Sequence, residues 1–266
     1  MVIPVWDDYA GDGLAEAIAS VREQAENARI LLVDNASERE IDAGAGVEVV
    51  RSASRVSVGA ARRLGLERSE TPWTLFWDAD DVMLPGTLPK LLEATRERSG
   101  VVAVTSSIMD GATGRAHHWP RGWTRHLSRR PAWFAVLNAV SSLYPTIGAL
   151  VLTRAALDAG GHPDADGGDD WAFGVSLAFR GQVIVLKHHG RLYRRHSDSL
   201  SAGWRSSDIS AHAALVRRQL RGDPAVPRAL RRTTWVIGAL QWLVLRVARP
   251  ISRATPARRR ASLPRP

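Results

Sequence analysis

The chain of 266 residues contains no cysteine. This absence excludes disulfide bonds, thiolate zinc sites and a cysteine nucleophile, and it is typical of proteins in a reducing cytoplasm. Residues 1–5 have neither the basic segment nor the long apolar stretch of a signal peptide, and they predict a first strand instead. We therefore expect a cytoplasmic protein.

Acidic residues are scarce in the last quarter of the chain, which makes the charge uneven. The net charge is +9, but residues 201–266 carry 14 arginines against two aspartates, which is +12 and leaves −3 for residues 1–200. A basic, partly apolar tail suits an anionic membrane surface or a nucleic acid. The overall composition, 45% hydrophobic and 24% charged, allows one α/β domain with an appendage or two small domains.

The first hundred residues alternate between strand and helix patterns. Buried strands are predicted from the apolar runs Val2–Val5, Ile30–Val33, Val47–Val50, Trp73–Trp77 and Val101–Val104. Helical spacing is found at Leu14–Gln24, Ala60–Glu67 and Thr87–Arg98. This alternation favours a parallel sheet covered by helices, in which ligands bind beyond the carboxyl ends of the strands.

The second half has a less regular pattern. Met109–Tyr144 is rich in aromatic residues and too long for a plain loop, so it predicts short elements or a flap. We expect a strand at Ile147–Thr153, a helix at about Asp169–Arg180, and short strands at Val183–Leu186 and Arg191–Arg195.

Three carboxylates follow the predicted strand that ends at Trp77. Asp78 and Asp80 lie two residues apart and would point the same way on an extended segment, with Asp81 beside them. Crowded carboxylates repel one another unless a cation neutralises them, and Mg²⁺ or Mn²⁺ is the natural cation. The alternative is a cap at Asp81 and solvated turn residues.

Two further segments could contact a nucleotide. Asp34, at the end of a strand, could accept hydrogen bonds from a base or ribose, although a loop cap explains it equally well. Arg62 follows the small residues that begin a helix, where backbone amides suit a diphosphate. A packed helix with surface arginines is the favoured alternative there.

The remaining chemical candidates lie in the second half. Asp169 and Asp170 begin a helix after Gly167-Gly168, so one of them could act as a general base while capping explains the other. His196 could ligate a metal or a phosphate, but a lone histidine is more often structural.

Taken in order, these segments resemble the family 2 glycosyltransferases of the GT-A fold over roughly residues 2–201. The resemblance rests on Ile3-Pro4-Val5-Trp6, Leu32-Val33-Asp34-Asn35-Ala36-Ser37, Gly59-Ala60-Ala61-Arg62-Arg63-Leu64-Gly65, Asp78-Ala79-Asp80-Asp81, Gly160-Gly161 with Asp169-Asp170-Trp171, and Tyr193-Arg194-Arg195-His196 with Ser199. Arg63 stands where the family usually has asparagine, and Asp169 stands where glutamate is commoner.

The resemblance implies an inverting, metal-dependent, hexosyltransferase-type enzyme that uses a nucleotide-sugar donor. Asp80 and His196 would bind Mn²⁺ or Mg²⁺, and Asp170 would be the general base, with Asp169 as the other candidate. The substrate-binding residues would be Pro4, Val5, Asp34, Arg62, Asp78, Trp171 and Arg194. The acceptor would be a glycan, a lipid-linked hydroxyl or a small-molecule hydroxyl, and no nucleic-acid partner is expected.

The resemblance also divides the chain. Residues 1–201 would form an α/β catalytic domain with a Rossmann-like, mostly parallel sheet flanked by helices. Its nucleotide-sugar half would be residues 1–107, and its acceptor-binding and catalytic half residues 108–201. Residues 202–266 would form a basic helical extension with a disordered end.

Within that extension, the apolar run Trp235–Leu245 is bracketed by arginines and is shorter than the roughly 20 residues of a spanning helix. It predicts either an interfacial helix at the inner face of a membrane or a helix packed on the catalytic domain.

Other functions are compatible with parts of the pattern. A nucleotidyltransferase would share the sheet and the metal, but the first strand is followed by Trp6-Asp7-Asp8-Tyr9 and not by a glycine-rich basic loop. A nucleic-acid-binding protein would use the basic tail, but the strand-end carboxylates would repel phosphate. An inactive, donor-binding relative of the transferases is the third alternative.

Overall fold

The computed structural model describes residues 1–111, 113–115, 119–194 and 206–252. The described strands are β1 (Val2–Val5), β2 (Ile30–Asp34), β3 (Val47–Arg51), β4 (Trp73–Leu75), β5 (Val82–Met83), β6 (Val101–Asp110), β7 (Leu150–Leu152) and β8 (Gln182–Tyr193). The described helices are α1 (Asp12–Arg22), α2 (Val58–Glu67), α3 (Thr87–Ala94), α4 (Thr124–Leu127), α5 (Pro131–Val140), α6 (Thr153–Asp158), α7 (Asp169–Ala178), α8 (Ser206–Gly222), α9 (Arg228–Arg232) and α10 (Thr234–Ser252).

The first half contains a parallel sheet with helices on its faces. Strands β1, β2 and β3 pair in that order and in parallel. Alternate residues of β1 enter two separate apolar clusters, Val2 with α2 and Ile3 with α1, because successive side chains of a strand point to opposite faces. Burial on both sides explains the apolar runs of β1 and β2. Strand β3, the last in the order, is largely exposed, with Val49 43% exposed, so the prediction of a buried strand at Val47–Val50 is wrong.

The second half adds a mixed sheet in the order β4-β7-β6-β8-β5. Only β6 and β8 pair in parallel there, and the other pairings are antiparallel. A parallel bridge between Val2 and Phe76, with the amide of Trp77 donating to the carbonyl of Val2 at 3.0 Å, joins the two sheets. The end of β4 therefore lies beside the start of β1, and the residues after β4 continue parallel to β1.

Several predicted elements have different bounds. Strand β8 runs without a break over two segments predicted as separate strands, and register shifts against β6 accommodate its irregular pattern. Met109–Tyr144 contains the end of β6 and the helices α4 and α5. The predicted disorder around residues 258–260 falls outside the described residues, which end at residue 252.

The C-terminal helices pack on α5 and α7. Helix α8 packs on α7, and α10 packs on α8 and α5, around a cluster that includes Val216, Leu220 and Ile237. The side-chain amide of Gln241 donates to the carbonyl of Ala139 at 2.8 Å. One face of α10 therefore packs on the domain, as the packed-helix alternative predicted. None of the helices within the described ranges is long and apolar enough to cross a membrane.

Candidate functional site

A cavity of about 510 Å³ opens at the ends of β1 and β4 and at the start of α7. The predicted site residues that line it are Pro4, Arg62, Asp78, Asp80, Asp169, Asp170 and Trp171. Val5, Asp34 and Arg194 do not line it, and His196 lies outside the described residues. Residues far apart in the sequence therefore meet here because two strand ends and one helix start converge.

The carboxylates that follow β4 are held by arginines. Arg62 donates to Asp78 at 2.7 Å, and Arg191, from β8, lies 3.5 Å from Asp78 and 3.0 Å from Asp81. Asp81 is buried and also accepts the backbone amide of Arg194 at 3.1 Å. Burial, opposed mainly by Arg191, raises the pKa of Asp81 to about 7. From the crowded carboxylates the sequence predicted a metal ion to neutralise their negative charge. In the structure, Arg62 and Arg191 neutralise much of that charge.

A second pair of carboxylates begins α7. Gly168 precedes it in a left-handed conformation, φ 71°, and the two acids occupy the first turn, where the helix dipole favours negative charge. The side chain of Asp169 is buried, whereas Asp170 is partly exposed towards the cavity and accepts the amide of Trp171 at 2.7 Å. The neighbouring carboxylates thus have different surroundings.

Asp169 belongs to a buried network. Its Oδ2 accepts hydrogen bonds from Arg62 at 2.8 Å and pairs with Nδ1 of His162 at 2.9 Å. Burial alone would raise the pKa of Asp169, but the Arg62 charge and the His162 hydrogen bond outweigh burial and lower it to about 2. The lowered pKa therefore favours the ionised form of Asp169, which pairs with the buried Arg62.

Asp170 has the opposite balance. Desolvation of its carboxyl and the charge of Asp169 together raise the pKa of Asp170 to about 6, against the smaller opposing effect of Arg62. Adjacent carboxylates with pKa values pushed apart in this way are typical of acid–base sites. The raised pKa and the partly exposed side chain make Asp170, and not the buried Asp169, the stronger candidate for a proton acceptor.

His162 was not singled out by the sequence. Its side chain is fully buried, and its ring packs against Phe76 and Phe173 with ring centroids 4.7 and 4.2 Å apart. Burial lowers the pKa of His162, so the neutral ring donates its Nδ1 hydrogen to Asp169. Only the position of His162 in the fold shows this contact.

The start of α2 differs from the sequence prediction of a diphosphate site. The amides of Val58 and Gly59 donate to Oδ1 of Asp166 at 2.9 Å and to the carbonyl of Ala165 at 3.1 Å. The amide of Ala60 donates to the side chain of Ser57 at 3.2 Å. These amides are used by protein acceptors, which supports the packed-helix alternative at this helix start. The contact with a diphosphate remains a prediction.

The predicted site residues off the cavity have structural partners. Asp34 is buried, accepts the amide of Ser37 at 2.9 Å and pairs with Arg51 at 2.9 Å. Arg194 pairs with Glu16 at 2.6 Å. Val5 lies in the apolar cluster beneath α1. Their predicted substrate contacts remain predictions.

Aromatic side chains line the cavity at two places. At the end of β1, Trp6 and Tyr9 form an edge-to-face pair with centroids 4.6 Å apart, and the guanidinium of Arg55 lies 4.6 Å from the Trp6 ring. On another side Trp119 and Trp171 line the cavity. Flat apolar rings beside charged groups suit a ligand with a ring system and a polyanion.

Helix α8 also reaches the cavity, because its residue His212 lines the cavity wall. His212 packs closely against Gly168: a Cβ added to Gly168 would lie only 2.6 Å from the Cβ of His212. The extension thus contributes to the cavity wall, which the sequence did not predict.

The carboxylates fit a divalent cation held jointly with a ligand. In the described ranges no group of three or more histidine, aspartate or glutamate side chains is arranged to hold a metal ion. Mg²⁺ usually takes one or two carboxylates together with substrate phosphates, and Asp80 with Asp78 provides such hard oxygen donors on the cavity wall. The donor set therefore suits a cation that arrives with a diphosphate.

Comparisons with solved structures identify the fold. The TarS fragment 1–349 of S. aureus, in complex with UDP-GlcNAc, superposes with a TM-score of 0.68 at 14% identity, covering 96% of this chain and 75% of that one. The mannosyltransferase PcManGT from Pyrobaculum calidifontis, in complex with GDP-Man and Mn²⁺, superposes with a TM-score of 0.61 at 14% identity and the same coverage. The predicted GT-A fold is confirmed.

The sequence itself matches one described family. No curated protein sequence matches the chain significantly. The pattern of glycosyl transferase family 2, however, matches residues 1–144, more than half of the chain, including β1, α2 and the carboxylates after β4. The chain therefore belongs to glycosyltransferase family 2.

Proposed function

We propose that this protein transfers a hexose from a nucleoside-diphosphate sugar to an acceptor hydroxyl, with inversion at the anomeric carbon and with a divalent cation. One observation carries this proposal: Asp78 and Asp80, after β4, and Asp169 and Asp170, at the start of α7, line one cavity. The first pair suits a cation and a diphosphate, and the second provides a proton acceptor.

The donor would lie with its nucleoside near the end of β1. Pro4, Trp6 and Tyr9 line that end of the cavity, and aromatic rings there offer a surface for a base. Asp34 and Asp78 would contact the base and ribose, Asp34 to a lesser extent because its carboxylate already bonds to Ser37 and Arg51. Val5 and Arg194 would contact the donor through their backbone atoms, at the end of β1 and just after β8.

The diphosphate would lie beside Asp80. Mn²⁺ or Mg²⁺ held by Asp80, and by His196 in the family pattern, would neutralise negative charge on the leaving diphosphate. Arg62 and Arg191 hold Asp78 in place. These ion pairs fix the position of the Asp78 carboxylate when no cation is bound.

Asp170 would remove the proton of the acceptor. The acceptor oxygen forms its bond to the anomeric carbon as the bond from that carbon to the diphosphate oxygen breaks, and the hydroxyl proton passes to a carboxylate oxygen of Asp170. The nucleoside diphosphate leaves with the bonding electrons. A general base of this kind contributes roughly 10²–10⁴-fold to the rate. Asp169 would position Asp170 and Arg62 without itself accepting the proton.

The acceptor would enter between Trp119 and Trp171, whose rings line the cavity. A sugar hydroxyl, a lipid-linked hydroxyl and a small-molecule hydroxyl all suit an aromatic platform. For location we propose the cytoplasm.

A panel of UDP-, GDP- and dTDP-sugars, each with and without Mn²⁺, tests the proposal by thermal shift. A ligand that binds only the folded state adds about 2.7 kcal/mol to the free energy of unfolding at one hundred times its Kd. We expect one nucleotide to raise the Tm in a Mn²⁺-dependent way. The free sugar with Mn²⁺ is the matched control. If none of the nucleotide sugars raises the Tm, the proposal is wrong.

A further inference from the structure

Helix α10 leaves an apolar face uncovered. Its packed side is formed by Thr234, Ile237 and Gln241, which are buried against α5 and α8. Between residues 235 and 244 every exposed side chain is apolar: Trp235, Val236, Ala239, Leu240, Trp242, Leu243 and Val244. A helix on the surface of a water-soluble domain normally turns a polar face outwards, so this arrangement indicates a surface that something covers.

The helix α5, on which α10 packs, also has exposed apolar side chains. On α5, Trp133 is 63% exposed and Leu137 38%, and α5 packs directly against α10. Within the described ranges the tryptophans with large exposure are Trp123, Trp133, Trp235 and Trp242, and all four lie on or beside α4, α5 and α10. We call Trp133, Leu137, Trp235, Leu240, Trp242 and Leu243 the docking face.

Arginines accompany the docking face. Arg129 and Arg130 precede α5, and Arg232 and Arg246 flank the apolar run of α10, all of them exposed. The guanidinium of Arg246 lies 4.3 Å from the centre of the Trp242 ring, which keeps it beside the apolar surface. Tryptophan and arginine side by side are typical of the headgroup level of a membrane.

We propose that the docking face binds an anionic lipid surface, with α10 lying in the interface and α5 of the catalytic half touching it. Charge complementarity favours this occupant, because arginines flank the face on both helices and attract anionic headgroups. The same arginines would repel one another if two copies met face to face. Helix α10 cannot insert further, because its other side is buried in the protein.

The position of α5 connects the docking face with the cavity. The helix has ten residues, which span about 15 Å, and Ser142, just beyond its end, lines the cavity. A membrane-bound enzyme would therefore hold its cavity close to the lipid surface. This part of the inference rests on the proposed function and favours a lipid-linked acceptor, whereas the binding of the docking face to lipid does not depend on it.

Flotation with phosphatidylcholine vesicles, with and without phosphatidylglycerol, tests the inference on the full chain. The triple variant W235S/W242S/L243S removes the most exposed apolar side chains of α10 and leaves its packed side intact. We expect wild type to float with the anionic vesicles at low salt and to be released as salt screens the arginines. The triple variant should bind at least about a hundredfold more weakly, because each large side chain contributes strongly to burial in the interface.

Two further variants separate the elements of the face. Trp133→Ser on α5 should weaken vesicle binding at least about threefold, since one exposed aromatic ring leaves the interface. Leu92→Ser, which changes an exposed leucine of α3 away from the face, is the matched control and should bind like wild type. The Tm shift produced by the nucleotide sugar should be the same in all variants, so a failure of the proposed function would be seen separately.

Each remaining result overturns the inference. Wild type that ignores anionic vesicles at low salt shows that lipid is not the partner, and a dimer in sedimentation that the triple variant abolishes would assign the face to a second copy. Equal binding by wild type and by the triple variant would place the lipid contact elsewhere. Trp133→Ser that binds like wild type would remove α5 from the face.

Discussion

Asp170 is the residue whose replacement tests the proposed chemistry most sharply. The change Asp170→Asn keeps the size of the side chain and its hydrogen bond with the amide of Trp171, and it removes the proton acceptor. We expect turnover to fall by at least about a hundredfold, which corresponds to about 2.7 kcal/mol of transition-state stabilisation. The affinity for the donor should stay nearly unchanged, because the carboxylates proposed for the cation and the diphosphate, Asp78 and Asp80, are not altered.

The pH profile gives the same prediction a second measurement. A general base works only when it is deprotonated, and burial raises the pKa of Asp170 to about 6. Wild-type kcat/KM should therefore be full above that value and should fall about tenfold for each pH unit below it, because this ratio reports the free enzyme. Asp169, with its pKa lowered to about 2, stays ionised throughout this window. The Asp170→Asn variant should lack the step near pH 6.

The assay follows release of the nucleoside diphosphate, with water or the acceptor as the attacking group. Asp158→Asn is a matched control, since its side chain is 55% exposed in a surface ion pair that contributes little. Asp169→Asn should instead lower the free energy of unfolding, because it leaves Arg62 short of a buried partner. If Asp169→Asn alone lowers turnover at unchanged stability and Asp170→Asn stays active, the base is Asp169.

Three further predictions follow from the same contacts. Asp80→Ala should abolish transfer and the Mn²⁺-dependent part of nucleotide binding without changing the Tm of the free protein, and unchanged metal dependence in titration calorimetry would place the cation elsewhere. Arg62→Met removes the positive charge that pairs with the buried Asp169, so the free energy of unfolding in urea should drop by about 3–5 kcal/mol. A drop below about 1 kcal/mol, well under the roughly 3 kcal/mol expected for a broken buried pair, would show that these ion pairs contribute little. Gly65→Ala would place a Cβ 2.3 Å from Cγ1 of Val2, so overpacking between α2 and β1 should cost about 1–3 kcal/mol in the same assay, and a neutral effect would contradict the close packing.

Much of the site could be predicted from local sequence because its residues follow strand ends or begin a helix. Asp78 and Asp80 come directly after an apolar run, and Asp170 follows a glycine pair that begins a helix. In a parallel sheet such positions converge at one edge, so a short pattern is enough to bring them together. The structure places these residues on one cavity.

The rest depends on contacts that no local pattern encodes. Arg191 reaches Asp78 and Asp81 from β8, more than a hundred residues later in the chain, and His162 meets Asp169 only inside the folded core. The antiparallel pairing of β7 follows from sheet topology and not from its apolar run. For α10, the sequence left two alternatives, and the structure shows that one face is packed while the other is exposed.

The stereochemistry of the sugar product is a direct test of a single displacement assisted by Asp170. With an α-linked nucleotide sugar as donor, a single displacement assisted by Asp170 must give a β-configured product. Proton NMR of the freshly formed product, recorded before the free sugar equilibrates, distinguishes the two anomers. We expect the β anomer from wild type and its loss in Asp170→Asn. An α-configured product formed at the wild-type rate would rule out a single displacement at the anomeric carbon.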